Sequence, residues 1–358
     1  MKHKIGIIGY GTMGSWHAAS IRRRIDDLDV VAVYDINPEK LKKAEEDGFA
    51  ICHSAAELLC RDVDIVLVAT PNNFHKEYCI MALDSGKNVV CEKPVCLNMD
   101  ELEEILAAAQ RNQRVFTVHY NRRWDVDFDI VKNIVSRGLV GNVHQVYSRL
   151  FSSRNIPGDW RTRKLSGGGF LYDFGIHMID QILCLFGMPR AVFADLKHIY
   201  QKDVDDSFRL NLMYDDNLSV HIVADSWTFI EENRWHISGD DGTAVLPKWQ
   251  HAEGSIICAN VKSVDWTQGC VYTENGLSRT MWPRPQKEIS AIELPVSDVL
   301  PRWEEFYENL MATIEGKAEQ LITHRDIINS MLIIEASFES AERGEVVYMD
   351  KYKERFGS

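Results

Sequence analysis

The chain has 358 residues, enough for two domains with separate cores, and 45% of them are apolar against 26% charged. Forty basic and fifty-three acidic residues leave a formal net charge of −13, which disfavours nucleic acid and anionic membrane surfaces as main partners. No uninterrupted apolar run approaches a membrane span, the first residues have no signal-peptide layout, and the eight cysteines form no Cys-x-x-Cys pair, so reduced thiols and a cytoplasmic location are expected.

Residues 4–8 read as a short strand, followed at once by Gly9-Tyr10-Gly11-Thr12-Met13-Gly14 and a helix over 15–25. This is a G-x-G-x-x-G fingerprint in its required setting of strand, tight turn and helix. Gly9 permits the turn, Gly11 lets a pyrophosphate approach the backbone, and Gly14 lets helix and strand pack, with the helix N-terminus facing the phosphates. The second strand, 30–34, ends in Asp35, where an acid accepts from both ribose hydroxyls and repels a 2′-phosphate. Ile36-Asn37-Pro38 offers no Arg for a 2′-phosphate, so NAD is the expected cofactor.

The βα alternation continues with helices at 38–47 and 54–60 and a buried strand at 63–68. The loop after that strand carries Thr70, Pro71, Asn72 and His75, cofactor-loop candidates that also read as a helix-start turn. A helix over 76–85 leads to the strand 88–91, which runs into Glu92-Lys93-Pro94 and places Lys93 at the end of a buried strand. A helix over 100–111 and a strand over 115–118 complete a first domain, residues 1–122, ending His119-Tyr120-Asn121-Arg122.

Residues 123–358 differ in texture, with alternating strands at 143–151, 191–198, 206–214 and 218–228 and a hairpin over 234–246. They predict a large, mostly antiparallel sheet with helices on one face, late helices at 301–315 and 325–343, and a last strand at 346–349. Within this half, Gly167-Gly168-Gly169 leads, as a flexible approach, into an apolar helix that stops at Gly187 and Pro189. On that helix Asp173, His177 and Asp180 share one face. The bland account of such a pair is a core His and Asp satisfying each other; the chemical one is a carboxylate that orients the imidazole and raises its pKa for proton transfer. A zinc site on the three residues fits the spacing, but no other ligand cluster supports it, and no metal is expected.

Taken together, Gly9–Gly14, Asp35, Thr70-Pro71, Glu92-Lys93-Pro94, Asn121-Arg122-Arg123, Trp160-Arg161 and 167–180 resemble the Gfo/Idh/MocA oxidoreductase family over essentially the whole chain. The resemblance implies an α/β chain: an N-terminal Rossmann domain and a C-terminal α/β domain with an open-faced sheet, through which members often form homo-oligomers. By the same resemblance Lys93, Asp173 and His177 form the catalytic group. Trp160 and Arg161 match an aromatic–basic pair near the cofactor, and Glu92, Lys93 and Asn121 stand beside it. Members mostly oxidise sugars and cyclitols, though some reduce other compounds and some are glycosidases.

The residues support hydride transfer from a secondary alcohol to NAD with proton removal from its hydroxyl. His177 suits the base, with an ordinary pKa of about 6.5, and Lys93 suits the reacting oxygen, although a buried lysine can itself serve as base. Lys93, Tyr120, Asn121, Tyr172, Asp173 and His177 offer the donors and acceptors expected for a polyhydroxylated sugar or cyclitol. Arg122, Arg123, Arg154 and Arg163 weigh the other way, since any one turned inward would clamp an anionic substrate. An NAD-dependent glycosidase, a reductase of a non-sugar compound and a non-catalytic NAD-binding regulator are the competing classes. Lys93 and His177 argue against the last.

Overall fold

A computed structural model describes residues 2–260, 271–274, 276–279 and 286–352. Its first half contains β1 (His3–Ile8), α1 (Thr12–Arg24), β2 (Leu28–Tyr34), α2 (Pro38–Glu46), α3 (Ala55–Leu59), β3 (Ile65–Val68), α4 (His75–Asp84), β4 (Asn88–Cys91), α5 (Met99–Asn112) and β5 (Phe116–Val118). The strands form a five-stranded parallel sheet in the order β2-β1-β3-β4-β5. Ile5, Ile7, Ile8 and all of β3 and β4 are buried, because helices cover both faces of a doubly wound sheet. Each such Val or Ile contributes about 1.5–3 kcal/mol relative to exposure. The order reverses beside β1, so the loops after β1, β3 and β4 open onto one crevice at the carboxyl ends of the strands.

The second half contains α6 (Val126–Ser136), β6 (Val143–Phe151), a π-helical turn (Leu171–Gly175) running into α7 (Ile176–Phe186), β7 (Ala191–Lys197), β8 (Ser207–Met213), β9 (Ser219–Asp225), β10 (Trp235–Gly239), β11 (Gly242–Leu246) and β12 (Ser255–Ala259). A two-stranded ribbon of β13 (Val271–Thr273) and β14 (Gly276–Arg279), then β15 (Ile289–Ile292), α8 (Glu304–Ile314), α9 (His324–Arg343) and β16 (Val347–Tyr348) complete it. Among the described residues nine strands make one sheet, β15-β12-β11-β10-β6-β9-β8-β7-β16, antiparallel except for the parallel pair β6–β9. Neither that parallel pair nor the strands β12 and β15 are among the elements predicted from the sequence.

Side chains alternate across this sheet as its pleat requires. Val146, Ser148, Phe208, Leu210, Val220 and Ile222 are buried beneath helices. The opposite face is partly exposed and carries Tyr147 stacked on His221 at 4.6 Å, edge-on to His236 at 6.0 Å. α9 opens on a capping box between Thr323 and Asp326 and joins the halves, packing against β5, α5 and β7. Gln320 donates to the Phe116 carbonyl at 2.9 Å, so the end of the chain returns to the first sheet. The stretch Lys164–Phe186 is apolar enough by length and composition to cross a membrane, but 61% of its most apolar window is buried in protein, as in a core helix.

Candidate active site

The glycine turn has the shape a dinucleotide needs. Gly9 has φ +99°, and a Cβ there would lie 2.5 Å from the Ala69 carbonyl oxygen; one at Gly14 would lie 1.9 Å from that of Gly9. At Gly11 the same atom would meet only Lys40 Nζ, at 3.6 Å, so the space above the turn stays open for phosphate. Thr12 and Met13 open α1 at the edge of that space. Asp35 is buried, and its oxygens accept from the N–H groups of Tyr10 at 2.7 Å and Asn37 at 2.8 Å. Lys40 Nζ stands 3.9 Å from it, a cation two residues beyond the Ile36-Asn37-Pro38 stretch.

The loop after β3 is tied from behind. His75 is buried with its ring nitrogens 2.9 Å from the carbonyl oxygens of Pro94 and Thr70, so it holds the loop and does not face a cofactor. Asn72 is also buried and donates to the Gly167 carbonyl at 2.8 Å. Thr70 Oγ1, beside Pro71, is buried without a partner, a hydroxyl left for a ligand. Glu92 points inward to His17 and His119, at 2.8 and 3.0 Å, so its side chain is not a cofactor contact either.

Lys93 meets the helix opposite. Its Nζ donates to Asp173 Oδ1 at 2.8 Å and to the Asp173 carbonyl oxygen at 2.7 Å, and Arg161 Nε stands 3.3 Å from Asp173 Oδ2. Burial pushes the Asp173 carboxyl up, but the Lys93 and Arg161 charges outweigh it and hold it below the ordinary carboxylate range. Arg161 also lies over the half-buried Trp160 ring, 4.6 Å from its centroid. The π turn places Asp173 here. An i→i+5 turn rotates the residues that precede it relative to the α7 that follows.

His177 is buried, and its Nδ1 has no hydrogen-bond partner. Burial first, then the Lys93 and Arg122 charges, push its pKa well below the ordinary value. Both expectations about the pair are therefore corrected: Asp173 is engaged by two cations and does not orient His177, and the shift is downward. Asp180 leaves the group altogether, bound by Arg123 at 2.6 and 2.8 Å. Tyr120 is fully buried beside Arg123 and Asp180, and Tyr172 donates to the Leu97 carbonyl at 2.5 Å with its ring against Phe338. Neither tyrosine lines the site. Asn121 opens a half-buried 3-10 turn at the crevice, Asn121–Trp124.

The glycines before α7 serve contact, not flexibility. A Cβ at Gly168 would lie 2.2 Å from the Arg161 carbonyl oxygen, and one at Gly175 would crowd Leu171 and Phe208 at 2.7 and 3.1 Å. One wall was not legible in the sequence at all. Trp249 lies between Arg122 and Arg234, with guanidinium carbons 5.4 and 3.9 Å from its ring, and edges Phe174 at 6.3 Å. Trp249 donates to Asp125 at 2.6 Å, and Asp125 is 3.5 Å from Arg122. Arg122 was visible as a basic residue, but its neighbour comes from a loop more than a hundred residues away.

A glycine turn open to phosphate, an acid at the end of β2, and a lysine–aspartate pair facing a neutral histidine define an NAD-binding oxidoreductase. A family model described as an oxidoreductase family with an NAD-binding Rossmann fold matches residues 3–120, and a GFO/IDH/MocA C-terminal domain matches 128–245. The chain belongs to the Gfo/Idh/MocA oxidoreductase family. It is 28% identical to a scyllo-inositol 2-dehydrogenase (NADP(+)) of Bacillus subtilis, over 97% of this chain and 96% of that one. It is 32% identical to a D-glucoside 3-dehydrogenase of Escherichia coli, over 56% and 58% of the two chains. A crystal structure of an NAD-binding protein from Listeria innocua superposes with a TM-score of 0.86 at 33% identity, covering 97% of each chain.

Proposed function

We propose that the protein oxidises a secondary hydroxyl of a neutral sugar, glycoside or cyclitol to a ketone, with NAD as hydride acceptor. The observation that carries this reading is the division of labour between Lys93 and His177. Lys93 Nζ is held beside the site by its contact with Asp173. Burial and the Lys93 and Arg122 charges depress the pKa of His177, which suits its imidazole to accept a proton.

Bound at the Gly9–Gly14 turn, NAD supplies the hydride acceptor. Asp35 would hold the ribose end, and the backbone at Gly11 would receive the pyrophosphate. His177 takes the hydroxyl proton, and Lys93 donates to the reacting oxygen as negative charge builds on it. Asp173, between Lys93 and Arg161, keeps both cations in place. The inositol and glucoside dehydrogenases among the relatives support a polyol substrate. Arg123 is spent on Asp180, which removes one arginine from the case for an anionic one.

The test is a panel of inositols, sugars and glycosides with NAD, following NADH and products together. Faster turnover of uronic acids or sugar phosphates, lost in Arg122→Ala, would replace the neutral ring by an anionic one. Free sugar without net NADH would mark a glycosidase. We also propose that the open sheet face around Tyr147, His221 and His236 is the surface for self-association, which light scattering on Tyr147→Glu tests.

A further inference from the structure

Glu92 is 5% exposed and immediately precedes the lysine that holds Asp173. Its Oε1 accepts from His17 Nε2 at 2.8 Å and from His119 Nδ1 at 3.0 Å, and its Oε2 accepts from the Lys93 N–H at 3.2 Å. Tyr307 donates to the remaining nitrogen of His17 at 2.7 Å. The donors and acceptors match: His17 donates from Nε2 because its Nδ1 takes the tyrosine hydroxyl, and His119 donates from Nδ1. Burial pushes the Glu92 carboxyl up, but the hydrogen bonds from His119 and His17 outweigh this and hold it well below the usual range. Burial and His119 push His17 down to about 4.

The cluster joins four elements: α1, which begins at the pyrophosphate; the end of β4, where Lys93 follows; the end of β5, where His119 follows; and α8, which brings Tyr307 from 290 positions away. None of its hydrogen bonds is to Asp173 or His177.

We propose that Glu92 is a positioning residue: its buried carboxylate, braced by His17, His119 and Tyr307, fixes the Lys93 main chain relative to α1 and thereby sets the Lys93–Asp173 contact. This rests on the reading that Lys93 acts on the reacting oxygen. Two imidazoles and a carboxylate with ligand atoms within 4.8 Å of one another are also a metal-ligating set. The contacts to Glu92 and Tyr307 are, however, all made as hydrogen bonds, with His119 Nε2 alone buried without a partner. The brace needs no ion.

The experiment compares wild type, Glu92→Gln, Tyr307→Phe and Lys93→Met with NAD and myo-inositol or methyl glucosides, alongside ¹⁵N-histidine NMR and metal analysis of the purified protein. Glu92→Gln should lower kcat about tenfold or more while KM for NAD stays within about twofold, because a displaced lysine loses transition-state contact. Tyr307→Phe, which removes one hydroxyl, should lower kcat about threefold. NMR should show His17 with its hydrogen on Nε2 and His119 with its hydrogen on Nδ1. The proposal is overturned by unchanged kcat in Glu92→Gln and Tyr307→Phe when Lys93→Met is inactive, by the opposite tautomers, or by a stoichiometric transition metal. If wild type turns over none of these compounds, or Lys93→Met equals it, the functional reading fails by itself. The tautomers and metal content then decide whether the brace exists.

Discussion

Lys93 Nζ lies 2.8 Å from Asp173 Oδ1 and 2.7 Å from the carbonyl oxygen of the same residue, joining positions 80 apart. One ammonium thus reads both the side chain and the backbone of the π turn, which fixes the distance between the Rossmann sheet and α7. Two cations share a single carboxylate here, since Arg161 approaches its other oxygen at 3.3 Å. Arg161 is also paired with Asp159 at 2.6 Å, so Asp173 is not its sole counter-charge, and Lys93 is the donor left for the oxygen of a bound alkoxide.

Replacing Lys93 by Met should therefore lower kcat by about a hundredfold or more, since it removes charge stabilisation that is strongest in the transition state. NAD affinity by calorimetry should change by less than about threefold, because no phosphate contact is lost. A variant with near-normal turnover would remove Lys93 from the mechanism.

His177 governs the acid side of the pH profile. Burial and the charges of Lys93 and Arg122 depress its pKa in the folded protein. The acid limb of kcat/KM should then fall below the ordinary histidine value of about 6.5. The sign for stability follows from the same shift. As pH drops below about 6.5 the unfolded chain takes up a proton that the folded one refuses, so stability present at neutral pH is lost. Urea midpoints should decline from about pH 7 to pH 5, and less steeply in His177→Asn. An acid limb above the ordinary value would contradict the base assignment.

Cofactor choice should turn on Asp35 and Lys40 together. Asp35 favours NAD, but Lys40 Nζ, 3.9 Å away, offers a 2′-phosphate one cation. NAD should be preferred, and Lys40→Ala should widen the preference by about tenfold through loss of NADP binding. Asp35→Ser should narrow it. The comparison is kcat/KM for the two cofactors with one substrate, and equal use of both by wild type would refute the assignment.

Gly167 should not tolerate a side chain. Its φ is +71°, and a Cβ would lie 2.4 Å from Leu97 Cδ2 and 3.0 Å from Asn72 Cβ. Gly167→Ala should cost about 1–3 kcal/mol and weaken NAD binding, because Asn72 holds its carbonyl from the cofactor loop. Thermal unfolding and NAD titration check both. A variant as stable as wild type would show that the close approach relaxes freely.

Much of this protein is local, and was legible for that reason. The Gly9–Gly14 turn, Asp35 at the end of β2 and Lys93 at the end of β4 follow from short-range rules: φ above zero needs glycine, a buried parallel strand reads as an apolar run, and its end faces the ligand crevice. The sequence therefore determined the Rossmann half, the family and the place of Lys93 at the ligand crevice. Asp173, His177 and Asp180 show where short-range rules stop. Regular helical spacing put the three on one face, but the π turn and Arg123 separated them, and which cation each carboxylate pairs with is settled by charges arriving from other elements. The same holds for Tyr120 and Tyr172, whose burial depends on α9, and for Trp249, which reaches the site from the loop after β11. Period and propensity act over a few residues, whereas burial, ion pairing and the pKa of His177 depend on neighbours far away in the chain. Only the tertiary structure decides those.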